Sequence, residues 1–241
     1  MINKMKKTND FYVKFNNNNT NIVFFGDSLC SADCERENKQ YKNIRGYAGR
    51  IGKNLNLITI NVAHSGSSFS TCRKGNRIIN QLDTLDLEKN VDLIILEGGV
   101  NDAWDCANLG SINIKFSNYE DYNQDTFCGG FEATLHKIKQ FFPKTIIGFV
   151  IPYHMPNAIR DWGITSLSDD NLIKYYNLAI KICEKWGIPY LNLYDDKEFN
   201  FDIFQVSKNI NLLDGVHPNS LGYDILGNVI GKWIIKTFKN N

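Results

Sequence analysis

The sequence predicts an α/β domain built on a doubly wound parallel sheet, and three features point to it. Five short segments are rich in Ile, Val, Leu and Phe and bounded by Gly, Asn or Pro, as strands buried on both faces are. Longer segments beside them carry apolar residues at three- and four-residue steps, the period of a helix packed on one side. The two kinds alternate along the chain, which makes the strands parallel and sends the helices to both faces of the sheet.

In chain order, residues 1–20 form a polar extension with Lys4, Lys6, Lys7 and the run Asn16 to Asn19. It lacks the apolar stretch of a secretory signal, so a cytoplasmic protein is expected. A single domain then fills residues 21–241, with no internal repeat. Its first strand spans residues 21–25 and a helix follows at 47–55. Gly46, Gly49 and Gly52 are read as small residues for close helix packing, because their spacing is not that of a dinucleotide-binding loop and no strand directly precedes them. Strands two and three fall at residues 57–62 and 91–96. A helix at 130–142 leads to strand four at 145–151. The helix at 169–186 places Leu172, Ile173, Tyr176, Ala179, Ile180 and Cys183 on one face and leads to strand five at 188–193. A last helix covers residues 221–238.

Composition excludes several classes. The chain has 241 residues, 27 basic and 26 acidic, and a formal charge of +1, with no basic stripe for phosphates, so nucleic acid is not an expected partner. No apolar run approaches the roughly 18 residues of a membrane span, so no membrane association is expected either. Cysteines 30, 34, 72, 106, 128 and 183 are expected as free thiols, because nothing marks an oxidising compartment. Cys30 and Cys34 have no second ligand pair at zinc-site spacing, so neither a metal nor another cofactor is expected. Strings diagnostic of zincins (H-E-x-x-H) and of the α/β-hydrolase elbow (G-x-S-x-G) are missing from the sequence.

Parallel sheets bind ligands beyond the carboxyl ends of their strands, so chemistry is sought there. Strand one runs into Gly26-Asp27-Ser28-Leu29, which places a hydroxyl at a strand-to-helix turn; taken alone, the string also fits a helix cap. Strand two runs into Asn61-Val62-Ala63-His64-Ser65-Gly66 and strand three into Glu97-Gly98-Gly99-Val100-Asn101-Asp102. Glycine lets backbone approach a substrate, and an asparagine amide is a neutral donor for a developing oxyanion. Near the end of the chain stands Asp214-Gly215-Val216-His217-Pro218, an acid and a base three residues apart.

Together these four segments resemble the SGNH (GDSL) hydrolase superfamily, whose blocks contribute a Ser, a Gly, an Asn and a His in that order, here Ser28, Gly66, Asn101 and His217. The resemblance runs from Ile22 to Phe238. It implies a flavodoxin-like three-layer α/β/α sandwich with five parallel strands in the order 2-1-3-4-5, and esterase, lipase or acyl-transferring chemistry. Two positions depart from the pattern: Cys30 stands where Ser or Thr is common, and Ala63 where the second block often has Gly.

A serine hydroxyl attacks well only when a base removes its proton, and imidazole can do so and later protonate the leaving alcohol. His217 is the expected base, ahead of His64, His136 and His154. Asp214 is expected to accept its Nδ1 proton, with helix capping as the other reading. The backbone N–H groups of Ser28 and Gly66 and the Asn101 side chain are expected to form the oxyanion hole. Asp102 is expected to brace the loop that carries Asn101.

Two long connections, residues 102–129 and 152–168, are rich in aromatic and polar residues. Trp104, Tyr153, His154 and Trp162 are candidate substrate contacts; the alternative is that such rings fill the loops' own small core. The expected function is a serine esterase acting on a short-chain, acetyl-type ester of a carbohydrate or similar alcohol. A lysophospholipase or thioesterase and a noncatalytic carbohydrate-binding module are the alternatives.

Overall fold

The computed structural model describes residues 20–36, 39–85, 90–116, 118–155, 168–196, 199 and 215–239. Strands β1 (Asn21–Phe25), β2 (Ile58–Asn61), β3 (Leu93–Glu97), β4 (Ile146–Ile151) and β5 (Tyr190–Asn192) form one parallel sheet. Its order is β2-β1-β3-β4-β5, as expected. The central pairs are in register, with Val23 opposite Ile94 and Ile94 opposite Ile147. All five residues of β3 are buried, which explains why its sequence is an apolar run closed by one acid.

Side chains alternate across the sheet, and β4 shows what each face meets. Gly148 faces α6 (Ser220–Phe238): a Cβ there would lie 2.8 Å from Phe238 and 2.9 Å from Trp233. Phe149, on the opposite face, packs against Phe131 of α4 (Phe127–Phe141), ring centroids 4.8 Å apart. Helix α2 (Gly46–Leu55) lies beside α6, and α5 (Asp169–Trp186) beside α4. The α2 glycines pack closely, as read: a Cβ on Gly49 would sit 2.3 Å from the Ile44 carbonyl carbon, and one on Gly52 2.6 Å from Thr59 Oγ1.

Boundaries differ from expectation where the period is too short or interrupted. The four-residue helix α1 (Ser28–Ser31) and the five-residue α3 (Val100–Trp104) are too brief to carry a repeating apolar pattern. Helix α4 begins three residues early, where Thr126 Oγ1 accepts from Gly129 N ahead of the Gly129-Gly130 pair. Thr20, assigned to the extension, is buried, and its carbonyl accepts from Ile58 N, so the domain starts one residue sooner. Residues 1–19 lie outside the described residues. All six cysteines are free thiols. Among the described residues, no helix is long and apolar enough to cross a membrane.

Arg50 of α2, 3% exposed, ties distant parts of the chain together. Its guanidinium grips both oxygens of buried Glu35 and donates to Asp224 Oδ1 (2.8 Å), Ile44 O (2.9 Å) and Ser220 O (3.1 Å). Burial works against the charge on Glu35, but Arg50 and the Gly46 N–H outweigh it and hold the carboxyl below its ordinary range. Arg50→Met leaves that carboxylate buried and unpaired, and is expected to cost about 3–5 kcal/mol in denaturant unfolding at neutral pH. Glu35 is more acidic folded than unfolded. Its contribution is therefore present above the unfolded value of about 4.3 and fades as pH falls through the lower folded value, so the gap between variant and wild type should narrow below about pH 4. Equal unfolding midpoints at neutral pH would count against this.

Candidate active site

Strand β1 ends at Phe25 and the chain turns at once into α1. Asp27 caps that helix, its Oδ1 accepting from Leu29 N at 2.9 Å. Gly26 is required by space: a Cβ would meet Glu97 Oε2 at 2.7 Å and Cys30 Cβ at 2.9 Å. The Gln81 amide accepts from Gly26 N (3.1 Å) and donates to Gly26 O (2.7 Å). Ser28 is thus fixed at the first helical position, at the carboxyl end of a strand that has neighbours on both sides.

His217 arrives from the other end of the chain, just before α6, and its Nε2 lies 2.7 Å from Ser28 Oγ. With the ring proton on Nδ1, the hydroxyl donates to Nε2. The segment around His217 is held on both sides: Tyr153 Oη donates to Val216 O at 2.7 Å, and Cys34 Sγ to Pro218 O at 3.5 Å. Tyr153 is 1% exposed, which corrects its assignment as a substrate contact; it has no surface for substrate and instead anchors the loop of the histidine. Asp214 lies outside the described residues. The helix cap considered for it belongs to Asn219, whose Oδ1 accepts from Gly222 N at 3.0 Å.

The other two segments close around the same turn. His64 N donates to Gly26 O (3.2 Å), and the hydroxyls of Ser31 and Ser65 lie 3.0 Å apart, which brings the Gly66 loop beside α1. Gly66 has φ +78°, a left-handed value that favours glycine, and Asn76 Nδ2 donates to the preceding carbonyl at 2.7 Å. Asn101, 5% exposed at the start of α3, donates from Nδ2 to Ser67 O (2.9 Å) and to Asp27 Oδ2 (3.1 Å). Asp102 accepts from Phe69 N and Ser70 N, both 2.9 Å, and from Ser70 Oγ at 2.6 Å. It braces the loop beyond Gly66 against α3.

The three oxyanion donors expected from sequence are thus unequal at rest. Among the described residues, neither the Ser28 N–H nor the Gly66 N–H is spent on an acceptor. Both amide hydrogens of Asn101 are, so it reaches an oxyanion only by sharing or releasing one of them. Beneath the turn lies something the sequence reading did not single out, a contact between the carboxyls of Asp27 and Glu97. Burial pushes Asp27 up to about 6 against the Leu29 N–H and the charge of His217. Burial, reinforced by the Asp27 charge, pushes Glu97 well above the carboxylate range. The available signal was an acid closing an otherwise apolar strand.

Of the remaining candidate contacts, Trp104 is half-buried at the end of α3, and Trp162 lies outside the described residues. His154 keeps its place beyond β4, with Nδ1 3.2 Å from Asp169 Oδ2 and its ring stacked on Tyr194 at 3.5 Å. The first long connection is less a lid than a strap over α4 and α5. Phe116 meets Trp186 edge-on at 4.9 Å, Tyr119 and Tyr122 pack against His136, and Asn113 N donates to Glu132 Oε2. Those rings pack on the outer helices, not in a core of the loop's own, and Phe116 stays 64% exposed. Around Gly66 the rim is polar: Arg73 grips Asp105 through two bonds (2.6 and 3.1 Å), with Asn76 and exposed His64 alongside. Among the described residues, no group of three or more His, Cys, Asp or Glu could hold a metal ion.

A family model for the GDSL-like Lipase/Acylhydrolase family matches residues 24–225, a stretch that holds Ser28, Gly66, Asn101 and His217. No curated protein matches the sequence. Solved structures share the fold at low identity. A protein from Lactobacillus plantarum is 19% identical with TM-score 0.71, over 92% of this chain and 99% of its own. A carbohydrate acetylesterase from Sinorhizobium meliloti is 14% identical with TM-score 0.66, over 91% and 100%. An aryl esterase from M. smegmatis is 12% identical with TM-score 0.64, over 91% and 100%.

The anchoring role of Tyr153 is testable through the reactivity of Ser28. Tyr153→Phe removes the hydroxyl that donates to the buried Val216 carbonyl and loosens the His217 segment, at a cost of about 1–3 kcal/mol. The rate at which a fluorophosphonate labels Ser28 should fall by about tenfold, the lower end of that range. Labelling at the wild-type rate would show that the tyrosine hydroxyl does not position the histidine.

Proposed function

The chain belongs to the GDSL-like lipase/acylhydrolase family and is a carboxylic ester hydrolase, and on that premise we propose that it is a serine esterase for short-chain, acetyl-type esters of a carbohydrate or similar polar alcohol. The observation that carries the proposal is the 2.7 Å approach of His217 Nε2 to Ser28 Oγ beside two unspent backbone N–H groups. In this reading Ser28 Oγ attacks the ester carbonyl carbon while His217 Nε2 takes its proton, and Asp214 accepts a hydrogen bond from Nδ1–H of the resulting imidazolium and stabilises its charge. The tetrahedral oxyanion is met by the N–H groups of Ser28 and Gly66, with Asn101 contributing as charge develops. Collapse breaks the bond to the alkoxy oxygen, which leaves as the alcohol with the proton from His217. Water, activated by the same imidazole, then releases the acid from acyl-Ser28.

The polar rim around Gly66 supports the substrate class. A long acyl chain draws about 0.8 kcal/mol from each buried methylene and needs continuous apolar walls, whereas Arg73, Asp105, Asn76 and His64 suit hydroxyls. The carbohydrate acetylesterase among the structural neighbours is consistent with the same class.

Two experiments test this reading. Ser28→Ala and His217→Ala should each abolish ester hydrolysis, with the double variant little worse than either, because the two groups act as a unit. Cys30→Ala should remain active, since the thiol is wholly buried and burial pushes it well above its ordinary value. A dead Cys30→Ala with a live Ser28→Ala would reverse the assignment. Across p-nitrophenyl esters, kcat/KM should peak at acetyl or propionyl and fall beyond about six carbons. A kcat/KM rising through octanoyl to palmitoyl would favour the lysophospholipase or thioesterase alternative.

A further inference from the structure

Glu97 closes β3 directly beneath the nucleophile turn, 2% exposed, and the chemistry described so far does not use it. Its Oε2 accepts from Asp27 N at 3.3 Å, while Oε1 has no partner among the described residues. Asp27, 0% exposed, is better supplied: Leu29 N donates to Oδ1 and the Asn101 amide to Oδ2, and His217 lies near. The two carboxyls are in contact in a dry interior and cannot both be charged. The better hydrogen-bonded one, Asp27, keeps the charge, and the proton goes to the one with an orphaned oxygen. A side-chain hydrogen bond joins the two carboxyls, so the Asp27 carboxylate is the acceptor for that proton. Gly26 packs directly against this carboxyl, since a Cβ there would lie 2.7 Å from Oε2.

We propose that Glu97 is a positioning residue, a neutral carboxylic acid that donates a hydrogen bond to Asp27 and keeps it anionic, so that Asp27 clamps the Ser28 turn and the Asn101 amide and faces the imidazolium of His217. This rests on the serine-esterase reading for its kinetic consequence, though not for the location of the proton. The other groups packed around the pair add no competing charge at neutral pH. The Cys30 thiol and the Tyr47 and Tyr176 hydroxyls are all held protonated by burial, and Arg73 is neutralised by Asp105. Asp27 is thus the anion directly beneath the Ser28 turn, with a value of about 6 that depends in part on the Glu97 donor, while buried Asp102 is engaged by Phe69 N, Ser70 N and Ser70 Oγ. Losing the donor raises Asp27 further, so the acid limb of activity must move to higher pH.

The test compares Glu97→Gln, which keeps a neutral donor of the same shape, with Glu97→Met and Glu97→Leu, which have none. Each is followed as kcat/KM for p-nitrophenyl acetate and as fluorophosphonate labelling across pH. Glu97→Gln should keep the wild-type acid limb. The donor-free variants should move it up by about one pH unit. A limb that moves down in Glu97→Gln would mean that Glu97 is charged in the wild type, and an unmoved limb in Met and Leu would mean that it does not act through Asp27. Either result overturns the proposal. Infrared spectroscopy provides a readout independent of catalysis and of whether the donor-free variants fold. The wild type at neutral pH should show a protonated-carboxyl band that Glu97→Gln lacks, and a wild type without it overturns the proposal. If Ser28→Ala kept its activity, the esterase reading would fail while this band still located the proton.

Discussion

Everything at the site depends on joining the two ends of the chain, and the buried Arg50 guanidinium is the joint. It holds Glu35, seven residues after Ser28, and the carbonyl of Ser220, three residues after His217. A buried ion pair adds little net stability over a well-packed apolar core, because desolvation offsets most of its attraction. Its value here is directional. Five donors in a fixed plane tie the segment after the nucleophile, the N-terminus of α2 and the N-terminus of α6 to one point, which shifting apolar side chains would not do.

On that frame the sheet sets the remaining distances. Parallel strands present all their carboxyl ends at one edge, so turns that are far apart in sequence become neighbours with no dedicated scaffold. β1, β2 and β3 deliver Ser28, Gly66 and Asn101, and β4 delivers Tyr153 to hold the histidine segment. Hydrogen bonds between the turns then fix the remaining freedom: Gln81 on Gly26, Asn76 on the Gly66 loop and Asp102 on Phe69 and Ser70. Two of these braces, Gln81 and Asp102, are themselves buried, which is the condition under which a hydrogen bond holds a geometry against water.

The strands were legible because each is a short apolar run with a polar or turn-forming boundary, and the four longer helices because they complete several periods. Short helices such as α1 and α3 were hidden, since four or five residues cannot display a repeat. Ser28, Gly66 and Asn101 were singled out because their residue types are chemically specific and follow strands, and His217 because an acid stands three residues before it. Tyr153 was assigned to the wrong partner because composition places a ring near a site without saying which way it points. Phe116, Tyr119 and Tyr122 look like a lid for the same reason, yet they pack along the outer helices. Glu97 escaped notice because its importance lies in a contact with a residue seventy positions away, and no local pattern records that.

The 189 residues that separate Ser28 from His217 also bear on how the protein is made. On a ribosome the Ser28 turn, the Gly66 loop and four flanking strands emerge long before the imidazole does. Throughout that interval Ser28 lacks its imidazole partner, and the face of β4 around Gly148 lacks Phe238 and Trp233, which belong to the helix that follows His217. The base and the cover then arrive on one segment. The imidazole therefore reaches Ser28 in the same event that covers Gly148, and a chain cut short of that point lacks both.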